Sequence, residues 1–208
     1  METKQIIVVI VAIIAAIACI AAAVMLMNGD KKDPEPVDPV FPDLNEKVIV
    51  VYFSATEVTE GVAEKIVDYL GCDSYRIEPV VPYTEEDLQR DVPGSRVNRE
   101  HSDPSFRPAI VDEKKDFSAY STIILGFPIW YHEEPQIIET FLDKYDLSGK
   151  NVVPFCTSWS AGIANAQINI TKAEPDANVI KGGQFPSGFI EQQIYDWLDS
   201  TGFMKKQN

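Results

Sequence analysis

Short apolar runs alternate with amphipathic stretches from Lys47 onward, and few architectures accept that order. The segments 47–53, 122–127 and 151–157 are nearly continuous hydrophobic runs, the pattern of strands buried on both faces of a parallel sheet. Residues 74–78 and 178–181 alternate more and are expected nearer the sheet edges. Between them, the stretch from Glu60 to Leu70 gathers Val62, Ala63, Ile66, Val67 and Leu70 on one helical face. Helices are also expected over 135–145, 161–172 and 189–201, with Pro135 in a first turn where its missing N–H costs nothing. Strands alternating with helices predict a doubly wound α/β domain with a five-stranded parallel sheet, flanked by helices on both faces. Ligands of such folds bind beyond the carboxyl ends of the strands, which singles out the loops 54–59, 128–134 and 158–162.

Ahead of this domain the composition changes twice. Ile6 to Met27 is a run of 22 uncharged, almost wholly aliphatic residues. A bilayer core needs roughly 20 such residues as helix, whereas the apolar region of a signal peptide has about 7–15. Residues 1–28 therefore read as a single-pass membrane-spanning helix or signal anchor, with Cys19 as the alternative, a lipoprotein cleavage point. Residues 29–45 hold Pro34, Pro36, Pro39 and Pro42 among acidic side chains and read as an extended linker. The expected organisation is an anchor, a stalk and a globular domain over 46–208, placed on the outer side of the membrane.

Charge and thiols narrow the function. From Glu46 onward the chain has 26 acidic and 15 basic residues, a net charge of −11, which disfavours nucleic acid and favours a partner with a basic docking face. Cys72 and Cys156 fall in expected strand segments at unrelated spacing and read as buried thiols. His101 and His132 lack partners at metal-ligand spacing, so no metal site is expected.

The three loops carry the chemistry. Ser54, Ala55, Thr56, Glu57, Val58 and Thr59 link a buried strand to an amphipathic helix, and their hydroxyls with the free N–H groups of a helix N-terminus suit a phosphate. Lysine and a glycine triplet are both missing, which argues against a nucleoside triphosphate or a dinucleotide. The alternative for this loop is an ordinary helix start capped by Thr59. Pro128, Ile129, Trp130, Tyr131 and His132 put two adjacent aromatics at a strand end, where they cannot both point inward, so at least one is free to stack on a flat ligand. Thr157, Ser158 and Trp159 add hydroxyls and a further indole beside them. A phosphate corner with flat aromatic walls describes a mononucleotide with a large ring, FMN.

Several stretches in order and spacing resemble the flavodoxin family, its short-chain members in particular: VIVVYFSAT at 48–56, IEPVVPYTEEDL at 77–88, SRVNRE at 95–100, ILGFPIWY at 124–131 and VPFCTS at 153–158. The resemblance implies strand order 2-1-3-4-5, one FMN and electron transfer through the flavin, by an electron carrier or a small FMN-dependent oxidoreductase with no catalytic residue of its own. It assigns Ser54, Thr56 and Thr59 to the phosphate, Trp130 and Tyr131 to the isoalloxazine ring, and Thr157 and Ser158 to the third loop. Glu57, His132 and Trp159 stand where the family pattern carries glycine, and a carboxylate aimed inward at 57 would oppose a phosphate. The alternative that follows is a flavodoxin-shaped binding module without cofactor. The segment 79–110, with five prolines and Arg90, Arg96, Arg99 and Arg107, reads as a solvated network pairing with Glu85, Glu86, Asp87 and Asp103, or as a cover beside the site with Tyr83 in contact.

Overall fold

A computed structural model describes residues 43–112 and 115–205. The strands are β1 (Val48–Tyr52), β2 (Asp73–Arg76), β3 (Thr122–Pro128), β4 (Asn151–Thr157), β5 (Asn178–Val179) and β6 (Gly183–Phe185). The helices are α1 (Val58–Leu70), α2 (Arg96–Ser102), α3 (Gln136–Lys144), α4 (Ala164–Ala173) and α5 (Glu191–Thr201). All strand pairs are parallel, in the order β2-β1-β3-β4-β5, with β6 also on β4. The expected order 2-1-3-4-5 is the observed one, and β2 and β5 form the edges. β3 and β4 are buried along nearly their whole length because helices cover both faces. One core lies under α3 and α4 and includes Ile49, Val51, Phe53, Phe127 and Phe141. The other lies under α1 and α5 and includes Val50, Ile66, Phe155 and Leu198.

The last strand differs from expectation. Residues 178–181 were expected as one strand and 183–185 as none, but β5 and β6 together form a single edge with one extra residue between them. Asn151 pairs with Asn178, an offset of 27, while Phe155 pairs with Gly183, an offset of 28, which is the signature of a bulge. Pro154 explains its place. Asn151 donates to Ser121 on the β3 side and Ser158 donates to Phe185 on the β6 side, so the N–H that proline lacks falls where the edge ladder breaks.

Three smaller expectations are corrected. The segment 79–110 contains α2, capped by the Ser95 hydroxyl, which accepts from the Asn98 N–H at 3.4 Å. Cys72 is half-buried in the turn before β2 rather than in a strand, while Cys156 is buried in β4. Burial raises both thiols, Cys72 to about 11 and Cys156 to about 12, so neither is a thiolate at neutral pH. Pro135 sits one residue before α3, as its cap. The expected anchor and most of the linker fall outside the described residues. Within the described residues no helix is long and apolar enough to cross a membrane.

Candidate functional site

The loop between β1 and α1 is held from behind. Arg76 on β2 donates through one nitrogen to both Glu60 oxygens, at 2.7 and 2.8 Å, and through another to the Ser54 carbonyl at 3.3 Å. Tyr52 donates to the same Glu60 at 3.1 Å, and burial together with that carboxylate pushes its phenol up to about 12. This cluster fixes the start of α1 relative to the end of β1. Ser54 is buried, and its hydroxyl has no hydrogen-bond partner among the described residues. Glu57 precedes the helix at φ +63°, a left-handed conformation that L-residues adopt at a cost, and its exposed side chain makes no capping bond. Thr59 is inside α1 rather than capping it. Its hydroxyl shares a 2.8 Å hydrogen bond with Thr157, tying the first loop to the end of β4.

The loop after β3 is a two-residue hairpin. Trp130 and Glu133 exchange backbone hydrogen bonds at 2.9 and 3.0 Å, and Tyr131 and His132 between them have φ +52° and +69°. Positive φ at both central positions is the demand of a type I′ turn, usually met by Asn-Gly. The two aromatics diverge. Trp130 packs edge-on against Phe53 and Tyr83, at 5.7 and 5.2 Å between ring centres. Tyr131 turns the other way and stacks on His101 of α2 at 4.2 Å. In the third loop the Ser158 hydroxyl accepts from the Ala161 N–H at 3.0 Å, and Trp159 is 81% exposed.

These three loops enclose a cavity of about 450 Å³ at the carboxyl ends of the strands. From the first loop it receives Ala55, Thr56 and Val58, from the second Pro128, Ile129, Trp130 and His132, and from the third Thr157, Ser158 and Trp159. Ser54, Glu57, Thr59 and Tyr131, also expected at the site, do not line it. Ser54 and Thr59 are buried behind the wall, Glu57 points to solvent and Tyr131 belongs to the contact with α2. The expectation that a Glu57 carboxylate faces the site is corrected accordingly.

Sequence reasoning missed part of the wall. Leu88, Arg90 and Val97 come from the segment 79–110, read from sequence as a cover or a solvated network, Ser160 and Ala161 come from the loop 158–162 already singled out, and Ser187 comes from a stretch given no role. The arginines of that segment do not pair as expected. Arg96 donates to the buried Glu100 at 2.7 Å, lies 3.7 Å over the Tyr83 ring and shares Glu100 with the Tyr83 hydroxyl. Arg107 pairs with Asp143 and Glu139 of α3, and Arg99 donates to the Gly94 carbonyl. Tyr83 is thus a support beneath Trp130 rather than a lining residue, and the segment is a cover for the cavity. Its signal was present in the length of the segment and its SRVNRE stretch, but not in any periodicity.

The fold and site together define an open parallel α/β sheet with a cavity at its topological switch point. A flavodoxin family model matches residues 47–201, and the chain belongs to that family. Among solved structures, a candidate flavoprotein from Bacteroides eggerthii is 39% identical, covering 76% of this chain and 99% of its own, with a TM-score of 0.71. A second candidate flavoprotein, from Bacteroides uniformis, is 36% identical over 74% of this chain and 98% of its own, also with a TM-score of 0.71. A flavoprotein from Lactobacillus acidophilus, solved in complex with FMN, shares the fold at 20% identity and a TM-score of 0.56, covering 67% of this chain and 93% of its own. No curated protein matches the chain.

Proposed function

We propose that this cavity binds FMN and that the domain transfers electrons through it. The observation that carries the reading is the cavity's make-up: Thr56 and Val58 at the start of the 13-residue helix α1 line it together with the indoles of Trp130 and Trp159. Thr56 and the first N–H groups of α1 supply donors, with the helix dipole favouring an anion. Trp130, held by Phe53 and Tyr83, offers an indole to a flat ring, and Ile129 and Pro128 exclude water beneath it. FMN, when bound, supplies the redox chemistry.

The cofactor-free alternative rests on the loss of a glycine from each of the three loops, the third keeping Gly162. Glu57 and His132 nevertheless hold the left-handed backbone that glycine would have supplied. The loops keep their shape at a cost of roughly 1–2 kcal/mol per residue, and such strain clusters at ligand sites. That favours the FMN reading over a module that has lost its ligand geometry.

The test is the purified protein itself together with one variant. The chain is expected to carry flavin absorbance that is released on denaturation, and Trp130→Ala is expected to weaken FMN by about 1–3 kcal/mol, the range for stacking on an aromatic. A colourless protein that rejects added FMN would sink the reading.

Two further proposals complete the setting. The uncharged run from Ile6 to Met27 is proposed to tether the domain to a membrane, which alkaline carbonate extraction of the full chain checks. The acidic balance of the domain is proposed to steer a redox partner with a basic face, an effect that should weaken steeply with salt.

A further inference from the structure

One wall of the cavity carries a cation that the fold does not use. Arg76, Arg96 and Arg107 are ion-paired, and Arg99 caps a backbone carbonyl. The exposed Arg90 side chain makes no hydrogen bond or ion pair among the described residues, although it lines the cavity. Its backbone is fixed: the Arg90 carbonyl accepts from Asn98 at 2.8 Å and from the Tyr131 hydroxyl at 3.4 Å. The guanidinium is therefore anchored at its root and open at its tip. Among the described residues no carboxylate lines the cavity, in a chain whose formal net charge is −14. An unpaired arginine thus stands at a concavity whose lining presents no carboxylate to an incoming anion.

Trp159 lines the same cavity and is 81% exposed, a large indole face with nothing packed on it. Leu88 and Val97 make the wall beside Arg90 apolar. The FMN phosphate has donors of its own in the first loop, so the arginine is not required for it. We propose that the part of the cavity bounded by Arg90 and Trp159 receives a second ligand, a planar aromatic molecule bearing a carboxylate or sulfonate. The guanidinium pairs with the oxyanion as a planar two-pronged donor, and the indole stacks on the ring. This rests on the reading of the remaining cavity as the FMN site.

The test uses the full chain loaded with FMN and two probes of equal shape, anthraquinone-2-sulfonate and uncharged 2-(hydroxymethyl)anthraquinone, with binding followed by calorimetry. Wild type is expected to prefer the sulfonate at least about tenfold. Arg90→Gln should erase that preference, Arg90→Lys should keep part of it, and Trp159→Ala should weaken both probes together. Equal affinity of wild type for the two probes overturns the proposal. So does a loss in Arg90→Gln that falls on FMN and spares riboflavin, because the arginine then belongs to the cofactor phosphate. Should FMN fail to bind while the apo-protein still prefers the sulfonate and loses that preference in Arg90→Gln, the anion subsite stands and the FMN reading falls.

Discussion

Glu57 shows how a single residue can be legible in kind and illegible in direction. Its departure from glycine stands in the sequence, but the side chain leaves the cavity for solvent, so the cost is in the backbone at φ +63° rather than in repulsion of a phosphate. Relief of that conformation is worth roughly 1–2 kcal/mol, offset by about 0.5–1 kcal/mol for the extra freedom glycine gives the unfolded chain. Glu57→Gly should therefore raise unfolding free energy in urea by about 0.5–1 kcal/mol and change the ratio of FMN to riboflavin affinity by less than about threefold. A tenfold gain for FMN alone would restore the electrostatic account. Gly126 is the opposite case. A Cβ there would meet the Phe155 ring at 2.1 Å, so Gly126→Ala should destabilise the domain by about 2 kcal/mol or more, read as a lower urea midpoint. The pairing of Trp130 with Tyr131 was readable only as a disjunction. Adjacent residues cannot both face inward, but which one faces the cavity depends on the left-handed turn at 131–132, which neither Tyr nor His announces.

Among the elements, the long apolar strands and amphipathic helices were readable because their hydrophobic period is their structure. β6 and α2 were not. β6 is three residues beginning with Gly183, whose Cα sits under the Trp197 ring, and it belongs to the edge only because Pro154 interrupts the ladder beside it. α2 is seven residues pinned from outside, by Ser95 at its start and by the buried Glu100, which accepts from both Arg96 and Tyr83. That junction supports Trp130 through the Tyr83 ring. Removing the carboxylate strands two donors, so Glu100→Ala should cost about 2–4 kcal/mol. Limited proteolysis should then cut within 79–110 before the rest of the domain. Cleavage no faster than in wild type would mean that Arg96 and Tyr83 find other partners and that the cover does not depend on Glu100.

At the scale of the molecule, acidity is the dominant field and it leaves a mark on stability. Burial raises the Glu134 carboxyl to about 8 with help from Glu139, and burial together with Asp146 raises Glu174 to about 7. Both sit at the ends of helices on the α3–α4 face, Glu134 just ahead of α3 and Glu174 just after α4. Because the folded values exceed the unfolded ones, the native state holds more protons between roughly pH 4.5 and 8. Stability should accordingly fall as pH rises through that window, and Glu134→Gln should flatten much of the slope in urea unfolding at successive pH values. A flat wild-type profile would place both carboxyls in water. The cavity at the strand ends is proposed as an FMN site whose phosphate lies at the start of α1. Titrating the full chain with FMN and with riboflavin, followed by quenching of flavin fluorescence, isolates that phosphate. FMN should bind at least about tenfold more tightly than riboflavin, a difference of about 1.4 kcal/mol. Equal affinities, or no quenching by either flavin, would contradict it.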